Sequence, residues 1–439
     1  MPRVPLSAYD RLFLAGHNAL QRRGLPGHHC LVWLELNGRL DRAKLDDAYL
    51  RVSAQTPLVD GRIAYALLTA RAHWRYGDAP QAIASIEYAD LSSHPDPEAA
   101  QRDTLLRAWC ELQDPAAGRQ LRLFCFEYKD RTTLVLRFPH YLMDQEGGLA
   151  FLSRIHDAAA SAAQSPAPAI EAPLPYPPDW SGRILRGWWS GAMQHRAIAR
   201  IQSRQLPERP IDPTQTADYL MRCWSPAETA RISEAAKKSC IPGPMLHTRH
   251  IIAATVRGLD DMADALGLSE GDHYLMPLPM LRPRRALRTK IACNDLIVAT
   301  MVIPRASLRD SAALDASLMT QINDYSNGGD EATWLFMSYV GLLRASHYEW
   351  MLRRKRMLVR YSLGFGSFRA DGWPGGFMGS QVTNVYGGGL PPIPPGAMLS
   401  FTRFADRLNV GAAFFPHVCT AANMERLLAR VEHHLGARN

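Results

Sequence analysis

Seven cysteines in 439 residues, with no CxxC pair among them, exclude a disulfide scaffold. They stand at positions 30, 110, 125, 223, 240, 293 and 419, mostly beside apolar neighbours, and are expected to be buried free thiols of a reducing compartment. Lysine is scarcer still: six, against 44 arginines. Long hydrophobic runs are missing too. The most apolar stretch, Trp334 to Leu343, is interrupted by Ser338 and Gly341 and stops at Arg344. That is short of the ~18 apolar residues a membrane-spanning helix needs. Met1 to Ser7 carries no apolar signal segment, so the expected location is cytoplasmic. There is no internal repeat, paired Cys/His finger, aromatic RNP run or basic heptad helix, and no nucleic-acid partner is expected.

What is present suits a globular protein: 47% hydrophobic and 21% charged residues. A chain of this length exceeds one ordinary core, so two domains are expected. The net charge of +8 is unevenly placed. Residues 1–170 hold 19 basic and 19 acidic side chains, whereas residues 171–439 hold 31 and 23. The preference for arginine is an ordinary consequence of a GC-rich genome. Its functional reading is a basic face for an anionic partner: a nucleotide tail, a phosphopantetheine arm or an acidic carrier protein.

Periodicity and punctuation predict helices over 6–20, 41–52, 97–112 and 149–163, with strands at 30–36, 119–128 and 132–138. Asp41 reads as a helix cap. The strand pair lacks polar alternation, which predicts cover on both faces. Six prolines between 166 and 178 mark a linker, and a second proline-bearing connection covers 207–213. Beyond it, helices are predicted over 226–238, 246–266, 307–325, 331–357 and 421–435. Strands are predicted at 274–279, 296–303, 398–405 and 407–415; within the glycine-rich 364–389, Gly364-Phe365-Gly366 and Gly387-Gly388-Gly389 read as turns. The expected division is an N-terminal α/β lobe (1–163), a linker region (164–213) and a C-terminal α/β lobe (214–439).

The most suggestive element runs from Phe138 to Gly148. His140 follows a buried-looking strand that ends at Pro139, Asp144 comes four residues later, and Gly147 and Gly148 precede a helix. A histidine at a strand end can project into a cleft, where its pKa suits proton transfer near neutrality. Glycines there permit close backbone approach. An isolated HxxxD also describes a solvated loop. The His28-His29 pair has no aspartate at matching spacing and reads as surface loop. His247 with His250, and His433 with His434, lack the company a zinc site needs, so no metal is expected.

Context adds to the motif. The run Leu36 to Ala48, with Gly38, Leu40, Asp41, Leu45 and Ala48 spaced as G-x-L-D-x-x-x-L-x-x-A, leads to Thr56-Pro57-Leu58. It resembles the opening of condensation-type acyltransferases, the superfamily of peptide-synthetase condensation domains, chloramphenicol acetyltransferase and wax ester synthases. His140 and Asp144 match the second histidine and the aspartate of its HHxxxDG signature. Pro279 to Arg282 resembles the P-x-N-x-R strand, Asn294 the G-N position, and Thr383-Asn384-Val385-Tyr386 the S-N element. Pro139 stands where the first histidine is usual, and Gln145 where the signature glycine is usual.

The resemblance implies two chloramphenicol-acetyltransferase-like α/β sandwich lobes forming a V-shaped pseudo-dimer around a central channel. It implies an acyltransferase that forms an ester or amide by attack of a small-molecule alcohol or amine on an acyl thioester, in a specialised-metabolite or lipid pathway. The donor would be acyl-CoA or an acyl or peptidyl carrier protein with its phosphopantetheine arm, with no tightly bound cofactor and a monomeric chain. His140 would be catalytic, with Asp144 and Arg282 supporting the loop and a backbone N–H of 145–148, or His140 itself, meeting the oxyanion. Gln145, Gly147, Gly148, Asn294, Thr383, Asn384 and Tyr386 would line the channel. Arg353, Arg354 and Arg356 would contact carrier or phosphate. The alternative is a catalytically inactive condensation-like protein that binds a carrier protein or acyl chain as a scaffold.

Overall fold

The computed structural model describes residues 3–6, 8–56, 61–65, 72–75, 86–118, 120–161, 183–207, 209, 217–281, 294, 296–329, 350, 359–371, 373, 375–391 and 393–437. The N-terminal half runs β1 (Arg3–Pro5), α1 (Ala8–Gln21), β2 (His29–Asn37), α2 (Arg42–Gln55), β3 (Arg62–Tyr65), β4 (Ala72–Arg75), β5 (Glu87–Asp90), α3 (Pro97–Cys110), β6 (Arg122–Glu127), β7 (Arg131–Pro139) and α4 (Gln145–Ala160). The C-terminal half begins with α5 (Arg183–Ala199), β8 (Asp218–Trp224), α6 (Pro226–Ser239), α7 (Leu246–Asp261), α8 (Ala263–Leu266), β9 (His273–Leu281), β10 (Leu296–Pro304) and α9 (Ser311–Asp324). It ends with β11 (Gly364–Arg369), β12 (Gly376–Phe377), β13 (Ser380–Gly389), β14 (Ala397–Phe404), β15 (Arg407–Phe414) and α10 (Ala421–Leu435).

Local chemistry starts these helices where expected. The Asp41 carboxylate accepts from the Lys44 amide at 3.1 Å and opens α2. Ser225 and Glu228 form a reciprocal capping box ahead of α6, with Pro226 at its first position. Gly436, at φ +72°, closes α10.

The N-terminal sheet has the order β12-β13-β2-β7-β6-β5, antiparallel except for the β6–β5 edge. Alternation sorts its side chains. Val32, Leu34 and Leu36 of β2 and Leu123 and Cys125 of β6 join one core with Tyr49 and Phe151 of α2 and α4. Leu31 and Trp33 of β2 and Phe124 and Phe126 of β6 join the other core, continuous with Trp224 and Phe401 of the C-terminal half. Both faces are thus covered, as the unbroken apolar runs predict.

The C-terminal sheet orders β11-β14-β15-β8, with the antiparallel pair β9–β10 packed beside β11. Ser362 ties them: its amide donates to Leu275 O at 2.8 Å and its hydroxyl accepts from the Leu275 amide at 3.0 Å. Two α/β lobes result.

Three expectations need correction. Gly364-Phe365-Gly366 and Gly387-Gly388-Gly389 lie in strands β11 and β13 rather than in turns. A Cβ on Gly387 would lie 2.0 Å from the Phe368 ring, and one on Gly411 would lie 3.3 Å from Gly387 O, so glycine is what lets strands of the two lobes approach. Nor do the sheets divide at the 164–213 region: β12 and β13, from the C-terminal half, complete the N-terminal sheet through register Val382↔Leu36 to Gly389↔Cys30. Of the six described cysteines, all free, Cys223 is exposed, unlike the buried thiols expected. The proline-rich 164–182, Cys293, most of the predicted 331–357 helix, Arg282, Arg353, Arg354 and Arg356 lie outside the described residues. Among the described residues no helix is long and apolar enough to cross a membrane.

Candidate active site

Strands β2 and β7 pair with His29 opposite Pro139, so the next residues outward, His28 and His140, face each other. The His140 amide donates to His28 O at 2.9 Å, and the ring centroids are 4.9 Å apart with the planes tilted 54°. Phe13 of α1 lies flat on the His140 ring, 3.7 Å between centroids at 16°, and edge-on to His28 at 5.5 Å. Three aromatic rings from three elements therefore fix one another.

Asn294 joins this cluster to the second lobe. Its Nδ2 donates to the His140 carbonyl at 2.6 Å and to Asp10 Oδ1 of α1 at 2.8 Å. It stands ahead of β10, so the histidine loop, α1 and the second lobe share one side chain. Asn294 was expected along the channel; it is buried and is not among the residues that line the cavity described below.

His140 Nδ1 is buried with no hydrogen bond from another residue. Burial pushes the imidazole below the ordinary histidine range, opposed by its own carbonyl, by the Asp144 charge and by Asn294. At neutral pH the ring is a proton acceptor.

Asp144 is buried and caps α4, accepting from the Gly147 amide at 2.7 Å. Gly147 and Gly148 are buried in the first turn of α4 rather than lining a channel. A Cβ on Gly148 would sit 2.7 Å from the Phe138 ring and 3.2 Å from Val32, so this glycine seats α4 on the sheet. Their amides, candidates for an oxyanion donor, are both taken by Asp144: the Gly148 amide donates to its carbonyl at 2.9 Å.

A cavity of about 310 Å³ opens beside His140 between the lobes. His28, His140, Asp144, Gln145 and Glu146 line it from the first lobe with Leu12 and Phe13 of α1. Pro277, Pro279, Met280, Leu296, Val298, Phe365 and Met398 line it from the second, and Ile198 of α5 adds to an apolar wall. Gln145 is therefore a wall residue. Thr383, Asn384 and Tyr386 are not. Thr383 is exposed and donates to Glu35 O at 3.2 Å. Asn384 Nδ2 donates to the Tyr386 hydroxyl at 2.7 Å, and its Oδ1 accepts from Asn409 Nδ2 at 2.8 Å, which ties β13 to β15. These residues hold the lobes together away from the cavity.

Sequence reasoning missed His28 and Phe13. His28-His29 is not a surface loop: His29 starts β2, fully buried, and His28 lines the cavity. The one available signal was a doubled histidine directly before a strong strand. Behind them the guanidinium of Arg137, buried on β7, bonds the His29 ring at 3.2 Å and Glu111 O at 3.3 Å. Desolvation pulls it down to about 10. Among the described residues no group of three or more His, Cys, Asp or Glu is placed to hold a metal ion.

No protein-family model matches the sequence, and no curated protein matches it. Solved structures do. The first condensation domain of the calcium-dependent antibiotic synthetase, in complex with a substrate analogue, is 14% identical with a TM-score of 0.73, covering 99% of this chain and 96% of that one. A trichothecene 15-O-acetyltransferase from Fusarium sporotrichioides is 12% identical with a TM-score of 0.73, over 100% and 96%. The starter condensation domain of rhizomide synthetase is 11% identical with a TM-score of 0.67, over 99% and 94%. The chain therefore has, from end to end, the fold of the condensation-domain and chloramphenicol-acetyltransferase-like superfamily.

Proposed function

We propose that the chain is a condensation-type acyltransferase with His140 as its general base. The observation that carries this reading is a neutral imidazole, clamped by Phe13 and anchored by its backbone, on the wall of an apolar cavity between two lobes. An acceptor X–H enters beside the imidazole, which takes the proton as X attacks the thioester carbonyl. The X–C bond forms, the C–S bond breaks, and the imidazolium returns the proton to the leaving sulfur. Holding both partners in one enclosed space replaces a bimolecular encounter.

The apolar wall suits an acyl chain or an apolar acceptor better than a polar one. One of the structural neighbours, a mutant of the rhizomide synthetase starter condensation domain, is in complex with C8-CoA and Leu-SNAC. This supports acyl-CoA or a phosphopantetheinyl carrier protein as donor. No resident cofactor is needed for such a transfer.

The test is acyl transfer from a panel of acyl-CoA and acyl-carrier donors to amine and alcohol acceptors. His140→Ala is expected to lower turnover ~10²–10⁴-fold. Undiminished turnover in that variant places the chemistry elsewhere. No transfer by either protein, with a carrier protein still bound, supports the scaffold reading.

A further inference from the structure

Helix α5 has two faces with different surroundings. Gly191, His195 and Ile198, spaced i, i+4 and i+7, line the cavity between the lobes. Trp189, Met193 and Arg196 repeat that spacing about half a turn away and are exposed. Exposed Arg200 follows in the turn after the helix. Trp189 is 61% exposed and Met193 48%, on the side where a helix of a globular protein normally shows polar residues. Among the described residues Trp189 is the most exposed large apolar side chain, and these two are the only pair of that kind on one helix.

The charge around this stripe has one sign. From Trp180 to Pro207 the chain holds Arg183, Arg186, Arg196, Arg200 and Arg204, and no aspartate or glutamate. We propose that α5 is the face by which the protein docks on a bilayer of anionic phospholipid, lying in the plane of the interface without crossing it. The Trp189 indole and the Met193 thioether enter the boundary between headgroups and acyl chains. An indole joins an apolar body to a polar N–H, which suits that depth. The guanidinium groups of Arg196 and Arg200 meet lipid phosphates, which they can bond bidentately.

Two further points favour lipid over an acidic protein as the occupant. The arginines are spread along the segment with no acidic residue to fix a register, which suits a fluid layer of phosphates better than one docked surface. The reverse face of the same helix is a wall of the apolar cavity, so docking brings that cavity within about one helix diameter, ~10 Å, of the lipid. The proposal goes beyond the acyltransferase reading and does not need it.

The test is co-sedimentation of the full chain with vesicles of phosphatidylcholine alone, or mixed with phosphatidylglycerol, at low and high salt. Binding is expected on the mixed vesicles and is expected to be lost at high salt. An arginine beside an anionic surface contributes roughly fivefold, so Arg196→Gln with Arg200→Gln is expected to weaken partitioning ~25-fold. Trp189→Ser with Met193→Ser is expected to weaken it at least ~10-fold by removing the apolar contact. Arg426→Gln with Arg430→Gln takes the same charge from exposed positions of α10 and is expected to change partitioning less than about threefold. Equal loss in the two arginine pairs, full binding by the Trp189 and Met193 variant, or no binding to mixed vesicles overturns the proposal. So does α5-dependent binding to an acidic acyl carrier protein without binding to vesicles, which assigns the face to a protein partner. None of these outcomes depends on acyl transfer.

Discussion

Burial holds His17, His28 and His29, the histidines nearest the His140 loop, below the ordinary histidine pKa. For His17 the value falls to about 4: desolvation dominates, the Arg137 charge adds to it, and a bond to the Gln113 carbonyl opposes it. In the unfolded chain the same ring titrates near ~6.5. Between those values the unfolded state binds more protons, so stability rises with pH there. His17's contribution is complete above pH ~6.5 and is lost as pH falls toward 4, about 3 kcal/mol in all. Urea midpoints are expected to drop between pH 7.5 and 4.5, with a shallower drop in His17→Phe. An identical slope in that variant contradicts this account. His140 was legible in the sequence because its signal is local: a strand, a proline, then a histidine four residues before an aspartate. His28 was not, because nothing in a doubled histidine says which residue will lie opposite it.

Caps and breaks were the readable part of the elements. Asp41, Pro97 and Ser225 stand at helix starts because each satisfies or avoids a backbone N–H that the helix leaves open. Glycines were harder. Gly147 and Gly148 beside a motif suggested room for substrate, but the space that Gly148 leaves is filled by Phe138. Gly148→Ala is accordingly expected to destabilise by about 1–3 kcal/mol through overpacking, with α4 and its Asp144 cap displaced. Thermal or urea denaturation measures it, and a variant as stable as wild type shows that α4 shifts without strain. The same reasoning explains β13. A run of three glycines looks like a turn until the facing strand is known.

For the whole molecule, β13 decides how the halves depend on each other. It occupies the edge of β2, and without it the unpaired side of β2 is a free strand edge beside apolar residues. Residues 1–163 expressed alone are expected to be insoluble or molten, whereas the full chain folds. A sharp, dispersed amide NMR spectrum from 1–163 alone refutes this. The cavity is likewise a property of the assembly: its walls come from α1, α5, the histidine loop, β9, β10, β11 and β14.

The amino-acid order alone determined the helix boundaries set by capping chemistry, the two-sided burial of β6 and β7, and a histidine at the end of a buried strand. Those rest on interactions within a few residues, or on periodicity that any strand or helix imposes. Tertiary structure alone decided that His28 meets His140, that Phe13 stacks on it, that Asn294 braces it, and that a C-terminal strand completes the N-terminal sheet. Each depends on register and crossover between segments more than a hundred residues apart, which local free energies do not encode.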